Sequence, residues 1–221
     1  GVNISQLFVS LTYARVLGEK HSIGISPIFV FQYFQAEGLQ AFRDMGMAGG
    51  PLTPQFPDNS GSVTDRGTNN STGFGVKIGY QGELFNGFRL GASVTPKIGM
   101  SEFEDYKGLF AEGGKFDIPL TWTAGISYNF TENFTLMFNV KQILYSDVKS
   151  IANPMIPGQM IPGGFAPDGT FFPNPNFVPL GSENGAGFGW DNMTMYKVGA
   201  EFRKLENWTF RLGYSYGKQP I

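Results

Sequence analysis

The sequence predicts an all-β fold, a transmembrane antiparallel β-barrel, on the basis of three observations. First, apolar residues recur at every second position in several segments, and the residues between them are Gly, Ser, Thr, Asn, Lys or Arg. The clearest such set is Trp208, Phe210, Leu212, Tyr214 and Tyr216. A period of two is typical of a strand with two different faces, and this polar face is small, neutral or basic, unlike a solvated surface.

The second observation is the composition. The 221 residues include 31 Gly and 14 Pro, and only 15% are charged, against about 25% in a typical soluble domain. No run approaches the roughly 18 apolar residues that a spanning helix needs, whereas membrane strands alternate. The net charge of -2 gives no reason to expect a nucleic-acid partner. The absence of Cys excludes disulfides, thiolate metal sites and Cys nucleophiles.

The third observation is the spacing of the strands. We predict eight strands in four hairpins, over residues 6–17, 21–35, 74–83, 88–98, 118–130, 134–145, 194–204 and 208–218. Tight turns at 18–20, 84–87, 131–133 and 205–207 close the hairpins, whereas long links join them at 36–73, 99–117 and 146–191. Short turns on one side and long loops on the other are typical of outer-membrane barrels, with periplasmic turns and extracellular loops.

Four stretches resemble the FadL-type long-chain fatty acid transporters. They are YKGLFAE at 106–112 with FDIP at 116–119, YSDV at 145–148 with NP at 153–154, GAGFGW at 185–190, and LGYSY at 212–216 with QP at 219–220. The stretches keep the family's order along the chain. Members of this family are 14-stranded outer-membrane barrels that pass hydrophobic molecules, including fatty acids and, in one branch, aromatic hydrocarbons. The resemblance therefore implies the same fold and the same class of solute here.

The resemblance also implies elements that this sequence does not show. Family members have an N-terminal plug, several earlier strands and two further strands after the QP stretch. We therefore expect residues 1–221 to form part of a single transmembrane β-barrel domain, eight strands of a 14-stranded barrel, with the plug, early strands and last strands absent. Eight strands alone would leave two unpaired edges in lipid, where each unsatisfied backbone group is costly.

If the apolar set faces lipid, the alternate set faces the lumen, and this inward face is markedly cationic. The candidate ligand-binding cations are Lys77, Arg89, Lys97, Lys141, Lys197, Arg203 and Arg211. Such a lumen would attract the carboxylate of an acyl chain and hold it by a charge-assisted hydrogen bond. In the alternative interpretation, these cations pair with acidic residues of the missing strands or plug, or line a water-filled interior.

Apolar residues interrupt this polar inward face at a few positions. The candidate apolar ligand contacts are Ile28, Val30, Phe34, Met137 and Ile143. They could form the apolar wall of a binding site, or contact the plug domain instead. The loops at 39–56 and 155–177 are rich in Phe and Met, which suits either capture of a hydrophobic solute or packing of the loops on one another.

No catalytic constellation is visible. The single His21 falls on the outward face near a turn, and the glycines of 185–189 lack the Lys and Ser/Thr of a phosphate loop. We therefore predict no enzyme activity, cofactor or metal. The expected protein is monomeric, in the outer membrane of a Gram-negative bacterium, in contact with lipid and lipopolysaccharide. It would take up hydrophobic small molecules passively, with long-chain fatty acids as the leading substrate. The alternatives are a channel for aromatic or alkane hydrocarbons, and an adhesin or enzyme that uses the long loops.

Overall fold

The computed structural model describes residues 1–205 and 208–221. The strands are β1 (Val2–Ser10), β2 (Tyr13–Leu17), β3 (His21–Ala36), β4 (Asn69–Phe85), β5 (Phe88–Thr95), β6 (Thr121–Thr131), β7 (Phe134–Ile143), β8 (Gly163–Phe165), β9 (Phe171–Pro173), β10 (Met193–Leu205) and β11 (Trp208–Gly217). The short helical turns are Gln40–Asp44, Ser60–Ser62, Glu104–Tyr106, Ala111–Gly114, Tyr145–Asp147, Lys149–Ala152 and Pro157–Met160. Within the described ranges, no helix has the length and apolar character needed to cross a membrane.

One curled antiparallel sheet contains every strand of the described chain except β8 and β9, which pair with each other. The order in the sheet follows the chain, from β1 and β2 beside β3 through β4, β5, β6, β7 and β10 to β11. β1 and β2 occupy the position of one strand, because both pair with β3 in the same register. The gap between them lies opposite Pro27, which has no N–H for the ladder. The predicted all-β fold of eight antiparallel strands is confirmed.

The two faces of the sheet differ as the alternation predicts. Directly paired residues of antiparallel strands share a face. One face, here called the outer face, exposes apolar side chains, among them Ile25, Phe29, Phe74, Ile78, Val94, Ile126, Phe138, Val198 and Tyr214. The opposite face, here called the inner face, carries Gly, Ser, Thr and the basic residues, and the loops cover part of it.

Aromatic side chains form a row beside the tight turns, at the end of the sheet here called the turn end. The rings of Phe85 and Phe88 stack with their centroids 4.8 Å apart, and the Phe88 ring lies 6.4 Å from that of Tyr128. Tyr128 in turn packs edge-on against Phe130 at 4.7 Å. A girdle of aromatic residues at each membrane interface is typical of transmembrane barrels. If the sheet spans a membrane, this row lies at one of the two interfaces between membrane and water.

The long links occupy residues 37–68, 96–120 and 144–192, at the opposite end of the sheet, here called the loop end. The second of them, here called the inward loop, folds onto the inner face. Its Ile98 and Met100 pack with Ile28 and Val30 of β3. A neighbouring cluster surrounds Phe34 with Phe103, Tyr106 and Phe110 of the same loop. The first and third links meet in another cluster, formed by Met47, Ala48, Val63, Met160 and Leu180.

The strand boundaries differ from the prediction where the inward loop begins and ends. The strand predicted over 88–98 ends at Thr95, because Pro96 has no N–H to extend the ladder. Ile98 was expected on the outer face and is instead buried on the inner face, where it exchanges backbone hydrogen bonds of 2.9 and 3.0 Å with Ile118. β6 therefore begins at Thr121. The predicted turn at 205–207 includes Glu206 and Asn207, which lie outside the described residues.

Candidate functional site

The open part of the inner face lies between the turn end and the inward loop. It forms a concavity of about 670 Å³. Its inner-face lining comes from β3 to β7: Ser22, Gln81, Glu83, Arg89, Gly91, Ser93, Thr123, Gly125, Ser127, Met137 and Asn139. A Cβ added at Gly91 would meet only the Tyr80 carbonyl oxygen, at 3.8 Å, so nothing covers the wall there. This wall offers hydroxyl and amide groups with little side-chain bulk.

Three of the predicted cations lie on the inner face with no ion pair in the described part of the chain: Lys77, Lys141 and Lys197. Lys141 lies opposite Met195, and Lys197 lies opposite Asn139, which makes the two lysines diagonal neighbours on one face. Diagonal neighbours across an antiparallel pair are about 7–8 Å apart, within reach of long side chains. Two ammonium groups can therefore converge on one anion at this position.

Arg89 is engaged by an acidic residue of the same face. The Glu83 carboxylate lies 3.6 Å from Arg89 Nε and 3.1 Å from Lys20 Nζ. The three groups lie at the turn end, where the first and second hairpins meet in the sheet. Two cations share one carboxylate, so the group keeps a net positive charge at the edge of the concavity.

Arg203 and Arg211 are engaged in the same way by Glu201, which is 8% exposed. Arg203 Nε and Arg211 Nε each donate to a carboxylate oxygen of Glu201 at 2.6 Å. A buried carboxylate needs such partners, since burial of an unpaired charge is costly. These arginines therefore have the partners that the alternative interpretation of the cationic face requires, although the acid belongs to β10 itself.

Lys97 lies at the loop end and joins the inward loop to the third link. Its Nζ is 3.0 Å from Oδ2 of Asp117 and donates to the backbone oxygen of Asp147 at 2.9 Å. Asp117 is buried, and its Oδ1 accepts a hydrogen bond from the N–H of Met100 at 2.8 Å. The contacts of Lys97 are those of a cation that holds the inward loop and the third link in place.

The predicted apolar contacts also separate into two groups. Ile28, Val30 and Phe34 are buried beneath the inward loop, with exposed fractions of 8%, 1% and 2%. Met137 lines the concavity, and Ile143 lies opposite Met193 near the loop end. The structure therefore brings Met137 to the open wall near Asn139, whereas the β3 residues belong to the protein core.

Sequence reasoning missed two methionines on the inner face. Met193 and Met195 share this face with Ile143 and Lys141, their cross-strand partners. The alternation that assigned Lys197 to the inner face extends back to both of them. Alternation therefore also predicts Met195 on the inner face. Met193 lies one residue before the start of the predicted strand.

Two of the stretches that resemble the FadL-type family, 145–154 and 185–190, meet at the loop end. The ring of Tyr145 lies 5.3 Å from that of Trp190, in an edge-on arrangement. Asn153 Nδ2 donates to the Gly185 carbonyl oxygen at 2.8 Å, and the Asn153 carbonyl oxygen accepts from the N–H of Gly187 at 3.1 Å. These contacts join the two ends of the third link to each other, so these two stretches define the loop architecture rather than the open concavity.

The chemistry of the described side chains is that of binding and packing. No cluster of His, Cys, Asp or Glu suited to a metal ion is found in residues 1–205 and 208–221. His21 lies on the outer face, where its Nδ1 is 2.8 Å from the hydroxyl of Tyr80. In the loops, the hydrogen bond from Lys149 to Glu183 lowers the pKa of the Glu183 carboxyl and raises the pKa of Lys149.

No protein-family model matches the chain, and a search of curated proteins also finds no match. Several solved structures are similar in fold. A monoaromatic hydrocarbon channel, CymD, has 19% sequence identity and a TM-score of 0.60, with 99% of this chain and 60% of that one covered. The toluene transporter TbuX of Ralstonia pickettii has 16% identity and a TM-score of 0.57, with 98% and 56% covered. A FadL homologue of Pseudomonas aeruginosa has 15% identity and a TM-score of 0.57, with 99% and 51% covered.

The chain thus has the fold of a part of these channels and transporters. The FadL-type resemblance found in the sequence is confirmed at the level of fold, since a FadL homologue is among the similar structures. The chain spans about 51–60% of the length of the three structures named above. All three are described as channels, transporters or a FadL homologue, and none as an enzyme.

Proposed function

We propose that the chain is part of an outer-membrane channel for passive uptake of hydrophobic compounds, within a single 14-stranded FadL-type barrel domain. One observation carries the proposal: the sheet has an apolar outer face and a small, polar inner face with three lysines that have no acidic partner in the described chain. Apolar-out and polar-in alternation is the pattern of a transmembrane barrel. The aromatic row at the turn end supports the same placement.

In such a channel, the outer face and the loop end lie in different surroundings. The outer face contacts outer-membrane lipid of a Gram-negative bacterium, and the links at the loop end lie among lipopolysaccharide on the cell surface. The barrel acts as a monomer and has no catalytic step or cofactor. Solute movement is then passive, driven by its concentration gradient.

Long-chain fatty acids are the proposed substrate because of Lys141 and Lys197. Their diagonal placement lets both ammonium groups approach one carboxylate, and charge-assisted hydrogen bonds of this kind are the strong ones. Met195 and Met137 lie on the same face and offer flexible apolar contact to the acyl chain. A carboxylate anchor beside apolar side chains is the arrangement that an anionic amphiphile needs.

Monoaromatic hydrocarbons are the second candidate. The names of two similar structures favour them, since CymD is described as a monoaromatic hydrocarbon channel and TbuX as a toluene transporter. A neutral solute would not need the lysine pair, so the two candidates differ in their dependence on it.

The test is uptake of radiolabelled oleate and toluene by cells that lack their own transporter and carry the complete gene. Lys141→Met with Lys197→Met should lower oleate uptake about a hundredfold at limiting concentration, because two lost charge-assisted hydrogen bonds cost about 1.5 kcal/mol each. Lys115→Met is the matched control, since Lys115 lies in the inward loop, 3.9 Å from Glu102, away from the lysine pair.

Each result separates the candidates. Oleate uptake that depends on the lysine pair supports the fatty acid channel. Toluene uptake that is indifferent to the pair, without oleate uptake, supports the second candidate. Uptake of neither compound by the unmodified protein would contradict the proposed transport of both.

A further inference from the structure

The outer face carries a pair of polar rings at the turn end. His21 is the first residue of β3 and lies opposite Gly82 of β4. Its ring is nearly parallel to that of Tyr80, with the centroids 6.0 Å apart, and its Nδ1 is 2.8 Å from the Tyr80 hydroxyl. A Cβ at Gly82 would lie 2.6 Å from that hydroxyl and would overlap Nδ1 of His21. The glycine therefore lets the two side chains lie across the sheet as a fixed pair.

A basic side chain of the neighbouring strand lies beside this pair. Arg15 of β2 is on the same face, opposite Ile23, which in turn lies opposite Tyr80. Arg15 and His21 are therefore diagonal neighbours, about 7–8 Å apart, a distance that a long side chain can span. Arg15 is exposed and has no ion pair in the described chain.

The charge of Arg15 is unusual for its place in the sheet. From β2 to β7, which are described in full, every other Lys, Arg, Asp or Glu of the strands lies on the inner face. A lipid-facing Arg is costly at the middle of a bilayer and is tolerated near an interface. The outer face therefore has one strong cation in this region, and an anion would be its natural partner.

The position of the cluster along the strands fits an interface. Leu90 of β5 pairs with Gly82 and is two residues from Phe88 of the aromatic row. Arg15 is three residues from Gly18 in the first turn, about 10 Å along the strand at ~3.3 Å per residue. The long side chain of an Arg can extend further towards the headgroups. In a membrane, the cluster thus lies within reach of the phosphates of the lipids.

We propose that Arg15 and His21 bind the phosphate of a glycerophospholipid in the periplasmic leaflet. This inference rests on the proposed function, because only placement in a membrane brings lipid to the outer face. A guanidinium can bind a phosphate through two parallel hydrogen bonds. When the Tyr80 hydroxyl donates to Nδ1 of His21, the neutral ring carries its proton on Nε2 and donates to the same phosphate. The acyl chains then lie along the exposed Ile25 and Phe29.

The turn end decides which lipid supplies the phosphate. The short turns of outer-membrane barrels are periplasmic, and the periplasmic leaflet contains phospholipid, whereas lipopolysaccharide occupies the outer leaflet. The charge of the cluster also suits an anion. Glu83, the acidic residue of β4, lies on the inner face and is already paired with Lys20 and Arg89, so it does not neutralise Arg15.

The experiment uses the complete protein in detergent and measures bound lipid by native mass spectrometry. The probes are dioleoyl phosphatidylglycerol, dioleoylglycerol, which has the same acyl chains without the phosphate, and lipid A. Arg15→Gln removes the charge, and His21→Phe keeps a ring over Gly82 but removes both nitrogens. Arg89→Gln is the matched control, because it removes the same charge at the turn end from the inner face.

The apparent dissociation constant for phosphatidylglycerol should rise about tenfold in Arg15→Gln, since a charged hydrogen bond is lost. It should rise by a smaller factor in His21→Phe and stay unchanged in Arg89→Gln. An equal rise in Arg89→Gln, or equal binding of dioleoylglycerol and phosphatidylglycerol, would overturn the proposal. Tighter, Arg15-dependent binding of lipid A would overturn the assignment to phospholipid. Failure of the proposed function would appear separately, as an unmodified protein that takes up neither oleate nor toluene.

Discussion

The loop end and the turn end of the inner face use the same strands in different ways. At the loop end, Phe34 of β3 is buried in an aromatic cluster, and Lys97 is bound to the buried Asp117. At the turn end, β4 presents Lys77 and Gly79 to open space. Strand alternation places Phe34, Lys77 and Gly79 on the inner face, whereas Lys97 and Asp117 belong to the inward loop. Inner-face residues that the inward loop covers are therefore packed in the protein core. Those that it leaves uncovered remain exposed to a solute.

The largest expected effect comes from emptying the aromatic cluster at the loop end. The ring of Phe34 lies 4.7 Å from that of Phe110 and 4.8 Å from that of Tyr106. Phe34→Ala should lower the free energy of unfolding by about 3–5 kcal/mol, because it leaves a cavity in a packed core. Urea unfolding in detergent micelles measures the change.

Phe31→Ala is the control for Phe34→Ala on the same strand. Phe31 is on the outer face and is 38% exposed, so its loss opens no enclosed cavity and should cost less. Equal losses for the two variants would contradict the division between a packed loop end and an open turn end.

The second largest effect should come from the ion pair of Lys97 and Asp117 within the inward loop. Asp117→Asn keeps an oxygen for the N–H of Met100 but removes the negative charge that faces Lys97. Because Asp117 is buried and Lys97 is partly exposed, we expect a loss of about 1–3 kcal/mol in the free energy of unfolding. The exposed pair of Lys115 and Glu102 is the control for burial. Glu102→Gln should change the free energy of unfolding by less than about 1 kcal/mol. A loss for Glu102→Gln as large as that for Asp117→Asn would show that burial is not the cause.

Loss of a cation from the uncovered part of the inner face should change the stability of the fold very little. Lys77 is exposed and has no ion pair in the described chain. Lys77→Met should therefore change the free energy of unfolding by no more than about 0.5 kcal/mol, as surface substitutions usually do. A loss comparable with that of Asp117→Asn would mean that Lys77 has a structural partner and would weaken its assignment to the solute-facing wall.

The alternation of the sequence was sufficient to predict the faces of most strands. Period-two alternation is a local property, and a strand can turn its apolar positions only to one face. Lys77, Lys141 and Lys197 lie on the inner face for this reason, and the tight turns at 18–20 and 131–133 join the strands that were predicted to form hairpins. Glycine and polar residues between apolar ones were therefore enough to give the all-β antiparallel fold.

The sequence could not predict what covers the inner face. Contact between Lys97 and Asp117, or between Met100 and Gly73, depends on the path of a loop rather than on a repeating pattern. For the buried position of Phe34, the sequence left two partners open, a ligand and a plug. The structure supplies a third, the inward loop. Ile98 followed the strand pattern in the sequence, but Pro96 ended that strand before it.

The smallest expected effect is a pH-dependent one in the links outside the sheet. Lys149 Nζ lies 2.6 Å from Glu183 Oε1 and 3.7 Å from Glu112, so it ties the third link to the inward loop. Its hydrogen bond lowers the pKa of Glu183 below the ordinary 4.5. An acid with a lowered pKa in the folded state stabilises that state above pH 4.5, and the stabilisation is lost as the pH falls through the lowered value.

Glu183→Gln should therefore lower the unfolding temperature slightly at pH 7 and low salt, and have no effect once the pH is below the lowered pKa. High salt should reduce the difference, because both side chains are exposed to solvent. Thermal unfolding of the two proteins over a series of decreasing pH from pH 7 measures it. A difference that does not decrease towards the acid end of the series would mean that the Glu183 side chain stabilises the third link by packing rather than by charge.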